Sequence, residues 1–328
     1  MGAKIDYIYI LGASHSGSTL LAMLLNAHPE ITTIGETSPG RLGDCDTYRC
    51  SCGTLIRECA FWNNVTQRMR QRHPDFSVDN FGTKFELAES PFINRVLNME
   101  HRGTLFELAR DTVLRCSRRW QRRWTEITAR CYDLASAVLA ESSGRVLVDS
   151  SKIAHRLKFL LQARDFNIKV IHLVRDGRAV ALTYMRQDEF ADSREPALRR
   201  GGRGMEAEAP GASLPMKKAA NEWLRCLKSA EHLLAGLDKS RWIQVRYEEL
   251  CSETGETLAR LFAFLGLGPK EYERDFRAVE NHVIGNGMRL DSTSEVVLDE
   301  RWKSVLTEEE LRVFEREAGW MNRRYGYK

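Results

Sequence analysis

The sequence predicts an α/β fold in three layers, a central parallel sheet with helices on both faces, with helical insertions. Three observations carry this. Residues 4–11 (KIDYIYIL) form a β-rich run that turns apolar and enters a glycine-bearing loop, followed by an apolar helix-like stretch and a short strand. Strand, loop, helix, strand is the opening of a parallel α/β sheet. Residues 146–148 and 169–174 (KVIHLV) are two further buried-strand runs, each passing through a short polar turn into a helix-like segment. With 328 residues and no internal repeat, one domain spanning 1–328 is expected.

The elements follow in order. Residues 18–27 (STLLAMLLNA) are apolar on most sides, so this helix is largely buried, and His28-Pro29 ends it. Residues 31–34 form a second, short strand. Residues 38–60 are loop-like; 62–72 and 100–142 read as mostly helical. The run RRWQRR at 118–123 reads as a solvated helix face with its Trp packed inward. After the strand at 146–148, Asp149-Ser150-Ser151-Lys152 turns into a helix reaching about Arg164. After 169–174, Arg175-Asp176-Gly177 turns into a helix ending near Gln187. Residues 188–215 mix Arg, Gly, Pro and Glu without periodicity and read as a mobile loop. A long amphipathic helix (216–236), a strand (242–245) and a helix (253–265) follow. The last helix, 307–325, opens with Thr307 and Glu310 as a capping box.

Composition removes several classes of function. Hydrophobic residues at 43% and charged residues at 29% are values for a globular chain. A formal net charge of +4 is too weak to argue for a nucleic-acid partner. No apolar run approaches the roughly 20 residues that span a bilayer, and the first ten residues lack a signal-peptide layout. A cytoplasmic protein is expected. Four of the eight cysteines cluster: Cys45, Cys50, Cys52 and Cys59. Their C-x4-C-x-C-x6-C spacing is a poor match to zinc-site pairs, so a structural role without metal is expected, as a local disulfide or as reduced thiols packing a loop.

The motif that carries chemistry is Gly12-Ala-Ser-His-Ser-Gly17-Ser18-Thr19. It has the frame G-x4-G, follows a strand and opens a helix. Backbone N–H groups of such a loop, with the helix N-terminus, hold phosphate-like oxyanions. A P-loop NTPase has Lys after the second glycine to reach the β- and γ-phosphates; here that position is Ser18. Asp149 opens a Ser-Ser-Lys turn and does not look like a magnesium partner. The loop is therefore P-loop-like without the NTPase charge clamp, which argues against a small-molecule kinase.

These segments together resemble the PAPS-dependent sulfotransferases, near the carbohydrate and tyrosylprotein branches. LGASHSGSTLL (11–21) is similar to the family's 5′-phosphosulfate loop, and VIHLVRDGRAVALTYMR (170–186) to its 3′-phosphate segment, with Arg175 and a hydroxyl, Thr183, eight positions on. QVRYEEL (244–250) is similar to the late strand whose tyrosine, here Tyr247, contacts the nucleotide. HVIGNGMR (282–289), with Arg301-Trp302-Lys303, is similar to the nucleotide-binding tail of bacterial members. The resemblance departs at His15, where many members have Lys or Arg.

The resemblance implies PAPS as donor, PAP as product, no metal, and sulfuryl transfer to a hydroxyl or amine. A sugar or other small molecule is the acceptor it leans towards. Nucleotide contacts are then expected from Ser14, His15, Ser16, Gly17, Ser18, Thr19 and Leu20 in the loop, and from Arg175, Thr183, Tyr247, Asn286 and Arg289 outside it. In-line displacement needs donors on the sulfuryl oxygens, a cation near the leaving oxygen and a base. Lys152 or His15 supplies the cation. Glu36 is the expected base, aimed by the turn at Gly35, with His101 in reserve. Thr19 is also a candidate helix cap, and Asp176 a cap or a partner of Arg175. The divergent, mostly helical stretch 38–142 and the loop 188–215 are expected to shape the acceptor pocket. A non-catalytic PAP-binding protein is the remaining alternative.

Overall fold

The computed structural model describes residues 4–39, 45–87, 91–97, 104–186 and 214–328. Its sheet has five parallel strands, β1 Ile5–Gly12, β2 Ile31–Thr33, β3 Val146–Lys152, β4 Phe166–Val174 and β5 Trp242–Arg246, in the order β2-β3-β1-β4-β5. The helices that matter to the site are α1 Ser18–Asn26, α2 Ala60–Arg70, α3 Arg118–Ala140, α4 Ala154–Leu160, α5 Gly177–Met185, α6 Met216–Ala235 and α7 Thr254–Leu265.

Alternation along β1 builds the three layers. Successive side chains of a strand point to opposite faces. Tyr7, Tyr9 and Leu11 enter one core with Trp62 and Val65 of α2, Ile127 and Leu134 of α3, and Leu157 of α4. Ile8 and Ile10 enter the other with Leu21 and Leu24 of α1 and Leu258 and Leu261 of α7. Both faces of β1 are thus covered, which is why Tyr7 to Leu11 reads as continuously apolar. A third core joins α5, α6 and the C-terminal segment through Val180, Trp223 and Phe314.

Where the elements differ from expectation, local chemistry explains it. The described part of the stretch 100–142 is mostly helical, as expected, but in two pieces, Thr104–Cys116 and α3. Ser117 interrupts it and caps α3, accepting from the Trp120 N–H at 3.2 Å. The segment 307–325 keeps its capping box but carries a π-helical turn at Glu315–Gly319. The helix after β3 stops at Leu160 because the chain must turn into β4, which begins at Phe166. Most of the loop 188–215, and His101, lie outside the described residues. Among the described residues no helix is long and apolar enough to cross a membrane.

Candidate active site at the carboxyl ends of the strands

Open parallel sheets bind ligands beyond the carboxyl ends of their strands. Here those ends carry the expected residues in sheet order. Glu36 follows β2, Lys152 ends β3, the glycine loop follows β1, Arg175 follows β4 and Tyr247 follows β5. Two strand spacings, about 10 Å, separate the ends that bear Lys152 and Arg175. That is of the order of one nucleotide.

The loop turns sharply into α1. Gly17 is the N-cap at φ 88°, and no side chain caps the helix. Thr19, expected as a possible cap, lies inside the first turn. The first-turn N–H groups are therefore left to an external acceptor. Ser16 is buried, and its hydroxyl has no hydrogen-bond partner among the described residues. An oxyanion in the loop would satisfy such an orphan, so the donor set fits a phosphosulfate. The Ser14 side chain bonds Tyr184, against which the His15 ring packs edge-on at 5.2 Å. Gly17 is required for a second reason: a Cβ there would meet the Tyr247 ring at 2.5 Å.

His15 (φ 63°) and Lys152 (φ 68°) are the two non-glycine residues at positive φ among the described residues. Left-handed backbone at such residues costs about 1–3 kcal/mol and clusters at functional sites. Lys152 also follows a bulge. Asp149 pairs with Tyr9 and Lys152 with Leu11, so β3 carries one residue more than β1 over this stretch. Bulges of this kind re-aim a side chain. The Lys152 ammonium is ion-paired with Oε1 of Glu36. Gly35, at φ 80°, lets Ile284 bridge in parallel beside it; a Cβ would sit 2.3 Å from the Ile284 carbonyl oxygen.

Beneath this pair lies a buried polar hub that the sequence did not reveal. Asp149 is fully buried at the end of β3. It accepts from Tyr7 Oη at 2.8 Å, Thr37 N at 3.1 Å, Thr37 Oγ1 at 2.7 Å and Ser151 N at 2.9 Å, and Arg156 Nε lies 3.4 Å away. Burial works to raise its carboxyl. The Arg156 guanidinium and the bonds from Ser151, Thr37 and Tyr7 outweigh that and hold it below the usual carboxylate range. Thr37 adjoins Glu36 and Ser151 adjoins Lys152, so Asp149 fixes both chain segments. Its oxygens are spent on protein donors, which agrees with its not being a magnesium ligand.

On the other side of the loop, Arg175 Nη1 donates to the His15 carbonyl at 2.8 Å, and its guanidinium stacks 4.3 Å over the Tyr247 ring. Arg175, Tyr247, Gly17 and Leu20 line a cavity of about 320 Å³ closed by residues 288–301. Within it Asp299 Oδ2 accepts from Arg175 Nη2 and from Arg301 Nη2, both at 2.8 Å. Burial opposes ionisation of Asp299, but Arg301 and Arg175 hold it well below the usual carboxylate range. Asp299 carried no motif, whereas Arg301 belongs to the Arg301-Trp302-Lys303 part of the tail resemblance. Asp176 takes the plainer of its two expected roles: it caps α5, accepting from Arg178 N at 2.9 Å.

Three expected nucleotide residues have other work. Thr183 Oγ1 donates back to the Ala179 carbonyl at 3.2 Å inside α5. Asn286 caps a 3₁₀ turn, accepting from Met288 N at 3.0 Å. Arg289 is buried, with Nη1 on the Gly285 and Asn286 carbonyls at 2.7 and 3.0 Å and Nη2 on the Arg49 carbonyl at 2.8 Å. It braces the tail against the cysteine loop. None of the three lines the cavity.

A glycine loop opening a helix at the carboxyl end of the central strand of a five-stranded parallel sheet, with an arginine from the neighbouring strand end on it, defines a P-loop-like α/β protein. The model of the Sulfotransferase family matches residues 7–271, and the chain belongs to that family. It is 26% identical to mouse carbohydrate sulfotransferase 5 over 174 residues, 52% of this chain and 44% of the relative. It is 32% identical to human carbohydrate sulfotransferase 2 over 129 residues, 33% of this chain and 24% of that one. The chain thus spans less than half the length of these relatives. Among solved structures, the sulfotransferase domain from the curacin biosynthetic pathway superposes over 100% of this chain and 99% of its own, with 16% identity and TM-score 0.49. The sulfotransferase domain of the Synechococcus PCC 7002 olefin synthase covers 96% and 95%, with 18% identity and TM-score 0.48.

Proposed function

We propose that the protein moves a sulfuryl group from PAPS to a hydroxyl or amine of a carbohydrate-class acceptor. One observation carries the reading. The phosphate loop lacks the NTPase lysine at Ser18, yet Arg175 from the neighbouring strand end touches the loop and opens onto an adjoining cavity. A donor with anionic groups on both its 5′ and 3′ carbons uses both features; ATP uses one. The carbohydrate acceptor rests on the names of the curated relatives alone.

In this reading the first-turn N–H groups of α1 and the Ser16, Ser18 and Thr19 hydroxyls hold the 5′-phosphosulfate. Arg175 takes the 3′-phosphate, its forked donors matched to a pair of phosphate oxygens, with Arg301 beside it. Tyr247 holds the flat face of the Arg175 guanidinium. Glu36 accepts the acceptor's proton. The acceptor oxygen bonds to sulfur as the bond from sulfur to the 5′-phosphate oxygen breaks, and PAP leaves. Lys152, now paired with Glu36, supplies the cation at the leaving oxygen. The ring of His15, against Tyr184, is the less favoured cation.

The test is a thermal-shift comparison followed by turnover. PAP should raise the melting temperature and ATP–magnesium should not. PAP release from PAPS should then depend on an added sugar from an acceptor panel. Stabilisation by ATP–magnesium alone would favour a kinase. PAP stabilisation without turnover on any hydroxyl or amine acceptor would favour a binding protein.

A further inference from the structure

Apart from the catalytic edge, the described residues hold one group of side chains that could bind a metal ion. Cys50, Cys52, Cys59 and His282 bring their ligand atoms within 4.8 Å of one another. Cys50 Sγ lies 3.6 Å and Cys59 Sγ 3.4 Å from His282 Nδ1, and Cys52 Sγ lies 3.7 Å from Cys59 Sγ. A tetrahedral zinc with Zn–S of about 2.3 Å and Zn–N of about 2.05 Å requires S···S edges of about 3.8 Å and S···N edges of about 3.6 Å. The three separations match those edges. A disulfide needs about 2.05 Å between sulfurs, and all the cysteines are free. Three thiolates and one imidazole select zinc among common divalent ions, and four protein ligands leave no open position for catalysis.

The surroundings are built for a ligand. The other ring nitrogen of His282, Nε2, lies 2.9 Å from Glu280 Oε1. A carboxylate behind a ligating histidine fixes the tautomer that leaves Nδ1 free to ligate. Phe61 stacks on the imidazole, with centroids 4.3 Å apart and planes 4° from parallel. Cys50 and Cys52 sit on a tight hairpin. Arg49 bridges Leu55, the Gly53 N–H donates to the Cys50 carbonyl at 2.9 Å, and Gly53 takes φ 88°. Cys45 belongs elsewhere, its thiol on Asp79. The C-x4-C-x-C-x6-C spacing includes Cys45 and omits His282, which lies 223 residues beyond Cys59.

We propose that Cys50, Cys52, Cys59 and His282 form a structural zinc site that staples the tail to the loop after β2. The staple sits where it matters. Ser51 and Tyr48 bond the same tail segment, at Asn281, Val283 and Gly285. That segment runs beside Gly35 and Glu36 and leads into residues 288–301, the wall of the cavity.

The full chain, purified without chelator, is assayed for metal with no nucleotide present, so the result is independent of the transfer reaction. One zinc per chain is expected, and a cobalt-exchanged sample should show the absorption of tetrahedral cobalt–thiolate. Cys59→Ser and His282→Asn should lose the metal, whereas Cys116→Ser, at an exposed cysteine elsewhere, should keep it. Should Cys59→Ser not fold, Cys52→Ser at the exposed ligand replaces it. Hydrogen exchange over residues 281–301 should quicken in the metal-depleted chain. Folded wild-type protein that holds no zinc after incubation with the ion, or a Cys52–Cys59 disulfide found by mass spectrometry, overturns the site. Unchanged exchange over 281–301 overturns the staple.

Discussion

The two halves of the catalytic edge are built in different ways. On β1, β4 and β5 the groups proposed to face the nucleotide are backbone N–H donors and side chains within two residues of a strand end: the loop before α1, Arg175 and Tyr247. On β2 and β3 the groups that matter are held from far away. Glu36 and Lys152 are 116 residues apart, and Asp149, which fixes both segments, bonds Thr37, 112 residues back. The first half is a binding surface, whose Arg175 is proposed to take the nucleotide's 3′-phosphate. The second is a preorganised pair over a buried hub, which costs desolvation and backbone strain and so points to chemistry. Binding and turnover should therefore fail separately.

Glu36→Gln tests this most severely. Loss of a general base costs about 10²–10⁴-fold in rate, so turnover should fall by that much while the PAP dissociation constant moves by less than about twofold. Isothermal titration and PAP-release kinetics on the same sample decide it. Near-normal turnover would remove Glu36 as the base and leave His101 as the next candidate.

Arg175→Ala comes next and should do the reverse. Hydrogen bonds to charged groups are worth about 1.5–3 kcal/mol, or roughly 10–100-fold in affinity. PAP should weaken by that factor, with Arg175→Lys recovering part of it because the charge returns without the fork. Unchanged PAP affinity in the alanine variant would detach Arg175 from the 3′-phosphate. Asp299→Asn should have a smaller and opposite effect. It removes a negative charge that holds the guanidiniums of Arg175 and Arg301, and PAP should tighten by roughly three- to tenfold. Weaker binding would mean that Asp299 serves to orient Arg175.

The same division explains what could be read from the chain. The five strands, the loop and Arg175 lie in contiguous segments whose residue types and spacing carry their own signal. Asp149 was visible only as part of a Ser-Ser-Lys turn. Its role depends on Tyr7, Thr37 and Arg156 arriving from three other elements, and no local pattern encodes that. Thr183 and Arg289 are the converse case: their nucleotide roles stay proposals, and partners within the fold already engage both side chains. Their residue types matched a phosphate-binding segment, but a Thr hydroxyl in a helix can be satisfied by the carbonyl four residues back, and a buried Arg satisfies three tail and loop carbonyls. His282 could be read only as part of the tail segment 282–289, because Cys50 and Cys59, which it meets, lie more than two hundred residues upstream.

The gentlest probe of the two halves is acid. His172 lies within β4, buried, and burial holds its imidazole down at about 4. His155 lies in α4, and burial, then Arg110 and Lys158, hold it down at about 3. The unfolded value is about 6.5. Below that pH the unfolded chain binds a proton that the folded chain refuses, so stability is complete above about 6.5. It falls with pH at about 1.4 kcal/mol per unit for each histidine. The loss from His172 ends near 4, and that from His155 near 3. Unfolded carboxylates titrate at about 3.9–4.3 and begin to contribute near 5, and a zinc–thiolate site loosens with acid as well, so the two rings are read in the interval from about 6.5 to 5.5, as the difference between variant and wild type. His172→Phe should remove about half of the slope in that interval in urea unfolding, and what remains reports the half of the molecule that holds His155. A slope equal to wild type would mean that His172 takes up its proton in the folded chain, and that the β4 side of the sheet admits a charge where burial should refuse one.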